Sequence, residues 1–154
     1  FDEIIPRILD GTYTSGLIIH EGQLTYADHD LDVLIDLGKW WNGRTPNWPM
    51  PLGGNVVRRD LGEDVMRDIT KYTKMSIEYA LKSPDEALEF AKAWGRGIDD
   101  DTNKEFVGMY VNDRTIDYKE DGRAAIRLFI KEGQHIGMIR NDFDTATMRF
   151  IGEP

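Results

Sequence analysis

The chain has no cysteine among its 154 residues, which excludes disulfides, thiolate metal ligands and cysteine nucleophiles and fits a reducing compartment. Histidine is nearly as scarce, with only His20, His29 and His135. No two of these stand at a His-x-x-x-His spacing and none lies in a His-Glu-x-x-His motif, so no metal site is expected. No apolar run approaches the ~18 residues that a membrane span requires, and a soluble chain with no membrane partner is expected. Positive charge is the further deficit: 19 Lys and Arg face 28 Asp and Glu, a formal net charge of −9. With no basic stripe to reverse that balance locally, nucleic acid is not an expected partner. A small anionic ligand stays open, because a few cations or backbone N–H groups lining a cleft outweigh distant charge. The chain opens at Phe1-Asp2-Glu3-Ile4-Ile5 without Met or leader, already inside an amphipathic segment, and so reads as part of something longer.

What is present is ordinary globular material, 40% hydrophobic and 31% charged, enough for one compact domain. Ile4, Ile5, Ile8 and Leu9 share the face of a short helix closed by Gly11. Strands are expected over 17–20, 31–37 and 55–59, where β-branched and apolar residues cluster between glycines. Between the last two, the stretch 42–51 holds Gly43, Pro46, Pro49 and Pro51 and predicts an irregular excursion anchored by Trp48. The second half reads as helical. Met66, Ile69, Thr73, Ile77, Ala80 and Leu81 recur at helical spacing over 64–81. Ser83-Pro84-Asp85-Glu86 opens a helix running to about Trp94, before Gly95. Thr102-Asn103-Lys104-Glu105 repeats the capping box ahead of a helix ended by Asn112-Asp113, and a last helix spans 120–131, stopped by Gly133. Asp99-Asp100-Asp101 reads as a linker and helix start rather than a metal site. The order gives an α/β class in which three short strands offer too little sheet for four amphipathic helices.

The segment Ser15-Gly16-Leu17-Ile18-Ile19-His20-Glu21-Gly22 carries the chemistry. It places a histidine and a carboxylate where an apolar run ends and a glycine turn begins, the position at which α/β proteins hold ligands. His20 is the candidate catalytic residue. Glu21 either orients the ring or faces solvent, since neighbours in a strand point to opposite sides. Gly53 and Gly54 either allow close backbone approach to a substrate or simply turn the chain. Arg58 and Arg59 either meet a substrate carboxylate or form surface ion pairs. Trp40 and Trp41 read as packing rather than as stacking partners for an aromatic ligand.

Several ordered motifs carry a resemblance. Gly16 to Tyr26 (GLIIHEGQLTY), Asp36-Leu37-Gly38-Lys39-Trp40-Trp41, Pro49 to Gly62 (PMPLGGNVVRRDLG), Ser76-Ile77-Glu78-Tyr79-Ala80, Met109-Tyr110-Val111-Asn112 and Gly122-Arg123-Ala124-Ala125-Ile126 are together similar to the 1,4-dihydroxy-6-naphthoate synthase family of the futalosine menaquinone pathway. The Ile-Ile-His-Glu segment resembles this family rather than the sister chorismate dehydratases. The resemblance implies a two-lobed, periplasmic-binding-protein-like (type II) α/β fold with the first lobe's sheet largely missing. In that reading residues 1–59 are a second-lobe segment bearing the histidine, and 60–154 are helices that pack on the missing lobe. It further implies a cytoplasmic carbon–carbon lyase that acts on cyclic de-hypoxanthine futalosine without metal or organic cofactor. His20 would be the general base, and Glu21, Gly53, Gly54 and Arg58 would bind substrate. An imidazole, with an ordinary pKa near ~6.5, is partly neutral at cellular pH and can take a proton from an activated carbon as an aromatic ring forms. A separate N-terminal chain or a homo-oligomer is the implied macromolecular partner. The competing reading is a non-catalytic solute-binding relative that takes a small anionic or aromatic ligand.

Overall fold

None of the stretches expected to be strands is one in the computed structural model, which describes residues 2–92 and 99–152. Among these residues there are α-helices and 3-10 turns and no strand. The α/β, two-lobed periplasmic-binding-protein-like expectation is therefore corrected to an all-helical architecture. The reason is that β-branched runs license a strand only locally, whereas a strand exists only when its N–H and C=O groups pair with a second one. The apolar side chains of these runs remain largely in the open, Leu34 at 83% and Val56 at 96% exposure.

The chain divides into two compact units. The first comprises Phe1–Leu34 and Ser83–Asn112. Its helix α1 (Ile4–Leu9) buries Ile5, and Gly11, at φ +78°, donates its N–H to the Ile8 carbonyl at 3.1 Å, the left-handed cap that glycine adopts without steric cost. The chain then returns over α1 so closely that a Cβ on Gly16 would collide with the Ile4 side chain. Helix α2 (Gly22–Thr25) and a 3-10 turn (Tyr26–His29) follow. Of the helices that complete the unit, α5 (Pro84–Lys92) and α6 (Asp100–Tyr110), α5 starts on the proline that the capping pattern placed there. Its expected end near Trp94 and Gly95 lies outside the described residues. Helix α6 begins in the Asp99-Asp100-Asp101 run read as a helix start, with Asp99 rather than the capping-box Thr102 as its cap. Its carboxylate accepts the N–H groups of Asp101 and Thr102 at 3.1 and 2.9 Å and the Thr102 hydroxyl at 2.6 Å. A carboxylate at this point satisfies two orphan donors, which a Thr cap does not.

The second unit comprises Ile35–Lys82 and Asp113–Pro154. Helix α3 (Leu37–Arg44) replaces the end of the expected 31–37 strand, because the Asp36 carboxylate accepts the Lys39 N–H at 3.0 Å and caps a helix instead. On α3, Trp40 is partly exposed with the Arg44 guanidinium 4.7 Å from its ring centre. Trp41 is buried, edge-on to Phe129 at 5.8 Å, and its indole N–H donates to the Pro49 carbonyl at 3.1 Å. That bond ties the proline-rich excursion to the helix. Helix α4 (Glu63–Lys82), α7 (Asp113–Ile116) and α8 (Lys119–His135) follow. The amphipathic α4 buries Met66 but leaves Ile69, Tyr72, Met75 and Tyr79 exposed.

Gly133 does not stop α8. A Cβ there would approach Ile139 Cδ1 to 2.7 Å, so the glycine serves close packing of the chain that folds back. The helix ends instead on Gly137 at φ +75°, whose N–H meets the Gln134 carbonyl at 3.1 Å while Met138 N–H meets that of Gly133 at 2.9 Å, a Schellman closure. The chain after α8 lies back along it. Arg127 donates to the Met148 carbonyl at 3.3 Å and stacks 4.9 Å from the centre of Phe150, Tyr118 meets Phe150 edge-on, and Arg149 grips Glu63 through two bonds of 2.7 and 3.0 Å. Among the described residues no helix is long and apolar enough to cross a membrane.

Candidate functional site

His20 sits in the first unit at the turn into α2 and is 8% exposed. The turn is sharp: Gln23 N–H bonds to the His20 carbonyl and Leu24 N–H to that of Glu21, both at 2.9 Å. This curls the backbone so that Gly22 N–H points at the imidazole and donates to its Nδ1 at 2.9 Å. Gly22 is required here for space. A Cβ at this position would lie 2.6 Å from His20 Cε1, 3.0 Å from Nδ1 and 2.9 Å from Ile5 Cδ1. The ring is thus held between α1 and the first turn of α2, with a backbone donor on one nitrogen.

Two further groups complete the site. The Glu21 carboxylate lies 3.8 Å from Nδ1, too far for a hydrogen bond and near enough for an ion pair with a protonated ring. It makes no cap bond to α2. Tyr110, the last residue of α6, donates its hydroxyl to the Ile19 carbonyl at 3.0 Å and accepts the Gln23 side-chain amide at 3.0 Å. One phenol therefore bonds to the backbone just before His20 and to a side chain just after it. Tyr110 and Gln23 belong to the motifs that carry the resemblance but were not candidates for a role. Nothing local in the sequence marks a tyrosine 91 residues away as the partner of Ile19.

A neutral imidazole has one donor and one acceptor nitrogen. Since Nδ1 accepts from Gly22, the neutral ring carries its proton on Nε2. Such a ring is buried and oriented by its own backbone. Among the described residues no three His, Asp or Glu side chains converge as a metal site would need.

The other candidates lie in the second unit. Gly53 and Gly54 are in the irregular stretch before Arg58. A Cβ on Gly53 would meet nothing within 4 Å, and one on Gly54 would touch the Tyr118 hydroxyl at 3.4 Å. The Arg58 side chain is exposed and paired with Asp60, its Nε donating to Oδ1 at 2.9 Å, which raises the guanidinium pKa and lowers that of the carboxyl. A shallow cleft of about 480 Å³ in this unit is lined by Lys131, Gln134 and 141–145 and includes none of these residues.

The helical frame and the buried, backbone-held imidazole at the turn into α2 define the class by architecture, an all-helical protein with an oriented histidine among the described residues. The particular family follows from comparison. A family model described as menaquinone biosynthesis matches residues 2–135, and the chain belongs to that family. It is 37% identical over 138 residues to the 1,4-dihydroxy-6-naphtoate synthase of Thermus thermophilus, a match covering 90% of this chain and 50% of that protein. It is 32% identical over 139 residues to the enzyme of the same name from Streptomyces coelicolor, covering 90% and 49%. An X-ray structure of a protein from Archaeoglobus fulgidus superposes with a TM-score of 0.84 at 41% identity, covering 90% of this chain and 52% of that one. The chain spans about half the length of these relatives.

Proposed function

We propose that the chain works in menaquinone biosynthesis as a cytoplasmic, 1,4-dihydroxy-6-naphthoate synthase-like lyase. In this reading cyclic de-hypoxanthine futalosine is the substrate, no metal or organic cofactor takes part, and His20 is the general base. The observation that carries the reading is the His20 imidazole, buried and oriented through Nδ1 by its own backbone, in a chain whose relatives bear that enzyme's name. Proton transfer by a positioned side chain is typically worth ~10²–10⁴-fold. Glu21, Gly53, Gly54 and Arg58 are proposed substrate contacts, with Glu21 adjoining the ring. Activity is proposed to need a further chain, either a separate N-terminal polypeptide or a second copy. That the chain spans about half the length of its relatives supports this.

The test is naphthoate formation from cyclic de-hypoxanthine futalosine by the chain alone and mixed with the N-terminal half of a relative. His20→Asn is the paired variant. Product that depends on His20 sustains the reading. A folded His20→Asn variant with undiminished turnover removes the base, and stoichiometric substrate binding without product moves the assignment to a solute-binding relative.

A further inference from the structure

We propose that Tyr110 is a latch: residues 19–25 swing open as a unit to bring the buried His20 Nε2 to solvent and to a small-molecule ligand, and the Tyr110 hydroxyl sets how often they do so. The latch stands on geometry alone, whereas its service to a reaction rests on the reading of His20 as the base. In the closed arrangement Nε2 is buried and Nδ1 is occupied by the Gly22 N–H, so neither nitrogen meets a ligand until the segment moves. The ring and the turn move together, because the bonds that join them run between near neighbours. Gly22 N–H bonds to Nδ1, Gln23 N–H to the His20 carbonyl and Leu24 N–H to that of Glu21, each at 2.9 Å.

Little of the segment's order is its own. Helix α2 is a single turn of four residues without a side-chain cap bond, and a helix that short is not stable by itself in water. It is held from two sides. Against Gly22 lies Ile5 of α1, an apolar contact without directional preference. From α6 comes Tyr110, which donates to the Ile19 carbonyl and accepts from the Gln23 side chain, both at 3.0 Å and from 91 and 87 positions away. One rotation of the phenol releases both bonds. Leu17 and Ile19 are exposed, so the segment lies at the surface and moves outward without displacing these side chains from a core. Local openings of this kind, far below the cost of global unfolding, are general where apolar contacts are few.

Diethyl pyrocarbonate, which acylates a neutral imidazole nitrogen that it can reach, tests this on the whole chain, with each histidine read by mass spectrometry. His29 and His135 are exposed and serve as references. In the wild type His20 should react more slowly than both, at a rate that low urea leaves unchanged because the opening is local. Tyr110→Phe keeps the ring that packs 4.9 Å from Phe106 and loses both hydroxyl bonds. It should speed the His20 reaction about 10- to 100-fold, with His29 and His135 unmoved. Gln23→Met loses one bond and should give about 3- to 10-fold. Hydrogen exchange supplies the second reading: the Gly22, Gln23 and Leu24 amides should lose protection in the same ratios, while Val111, bonded to the Val107 carbonyl, keeps its own. An unchanged His20 rate in Tyr110→Phe, a rise matched by lost protection at Val111, or a wild-type His20 that reacts only as fast as the chain unfolds globally overturns the latch. If Tyr110→Phe does not fold, Gln23→Met decides by the same readings. If the turn opens as expected and the chain with a relative's N-terminal half makes no naphthoate, the reaction assignment fails and the latch stands.

Discussion

Gly22→Ala is the sharpest probe of the packing around His20. The added methyl would sit 2.6 Å from His20 Cε1, 2.9 Å from Ile5 Cδ1 and 3.0 Å from His20 Nδ1, closer to both side chains than non-bonded atoms tolerate. Overpacking of this kind costs about 1–3 kcal/mol. Turning the ring away also loses the Gly22 N–H bond, worth about 0.5–1.5 kcal/mol. Against these stands the better helix propensity of alanine, about 1 kcal/mol at most. The net is a destabilisation of about 0.5–4.5 kcal/mol, since the two costs outweigh the gain. Gly108→Ala is the control. It lies in α6 of the same unit, and a Cβ there meets nothing within 4 Å, so propensity acts alone and stability should rise by about 0.5–1 kcal/mol. Urea unfolding of both variants, with the His20 ring followed by NMR, reads the two signs. If Gly22→Ala matched or exceeded the wild type with the His20 signals unmoved, the close contact and the Nδ1 bond would both be refuted.

Other consequences follow from particular side chains. Asp99→Ala removes the acceptor for two α6 amides and should cost about 1 kcal/mol, measured by urea midpoint; an unchanged midpoint would return the cap to Thr102. Trp41→Phe deletes the indole donor to the Pro49 carbonyl and should cost about 1–3 kcal/mol, with faster amide exchange in the 45–51 stretch; full protection there would mean that the bond does not anchor it. The Asp121 carboxyl is held down to about 2, from an ordinary 3.8, chiefly by the Arg114 guanidinium. Because the folded-state value is the lower one, the stabilisation is complete above pH 3.8 and is lost as pH falls through about 2. Arg114→Met should restore the ordinary titration of Asp121 in a carboxyl NMR series, and an unmoved midpoint would assign the shift to another group.

Features that depend on neighbours a few residues apart are legible in the chain alone. Gly11 ends α1 because its φ of +78° suits glycine, Pro84 opens α5 because its missing N–H costs nothing there, and the 3.6-residue period of α4 is visible in its side chains. Charge and the absence of cysteine were equally plain. The same local reasoning named His20, because a histidine between an apolar run and a glycine is conspicuous in one dimension, and the ordered motifs pointed to the family. It misread 17–20, 31–37 and 55–59 as strands, since pairing belongs to two segments and a β-branched run says nothing of its partner. It also placed the α6 cap three residues late and read Gly133 as a helix stop, where the close approach of Ile139 is what requires a glycine. Which nitrogen of His20 faces its backbone, that Gly22 must lack a side chain, and that Tyr110 from α6 bonds to the turn emerge from the folded contacts alone. Those facts rest on distances of about 3 Å between residues up to 91 positions apart, and a contact of that kind leaves no periodicity in the chain that makes it.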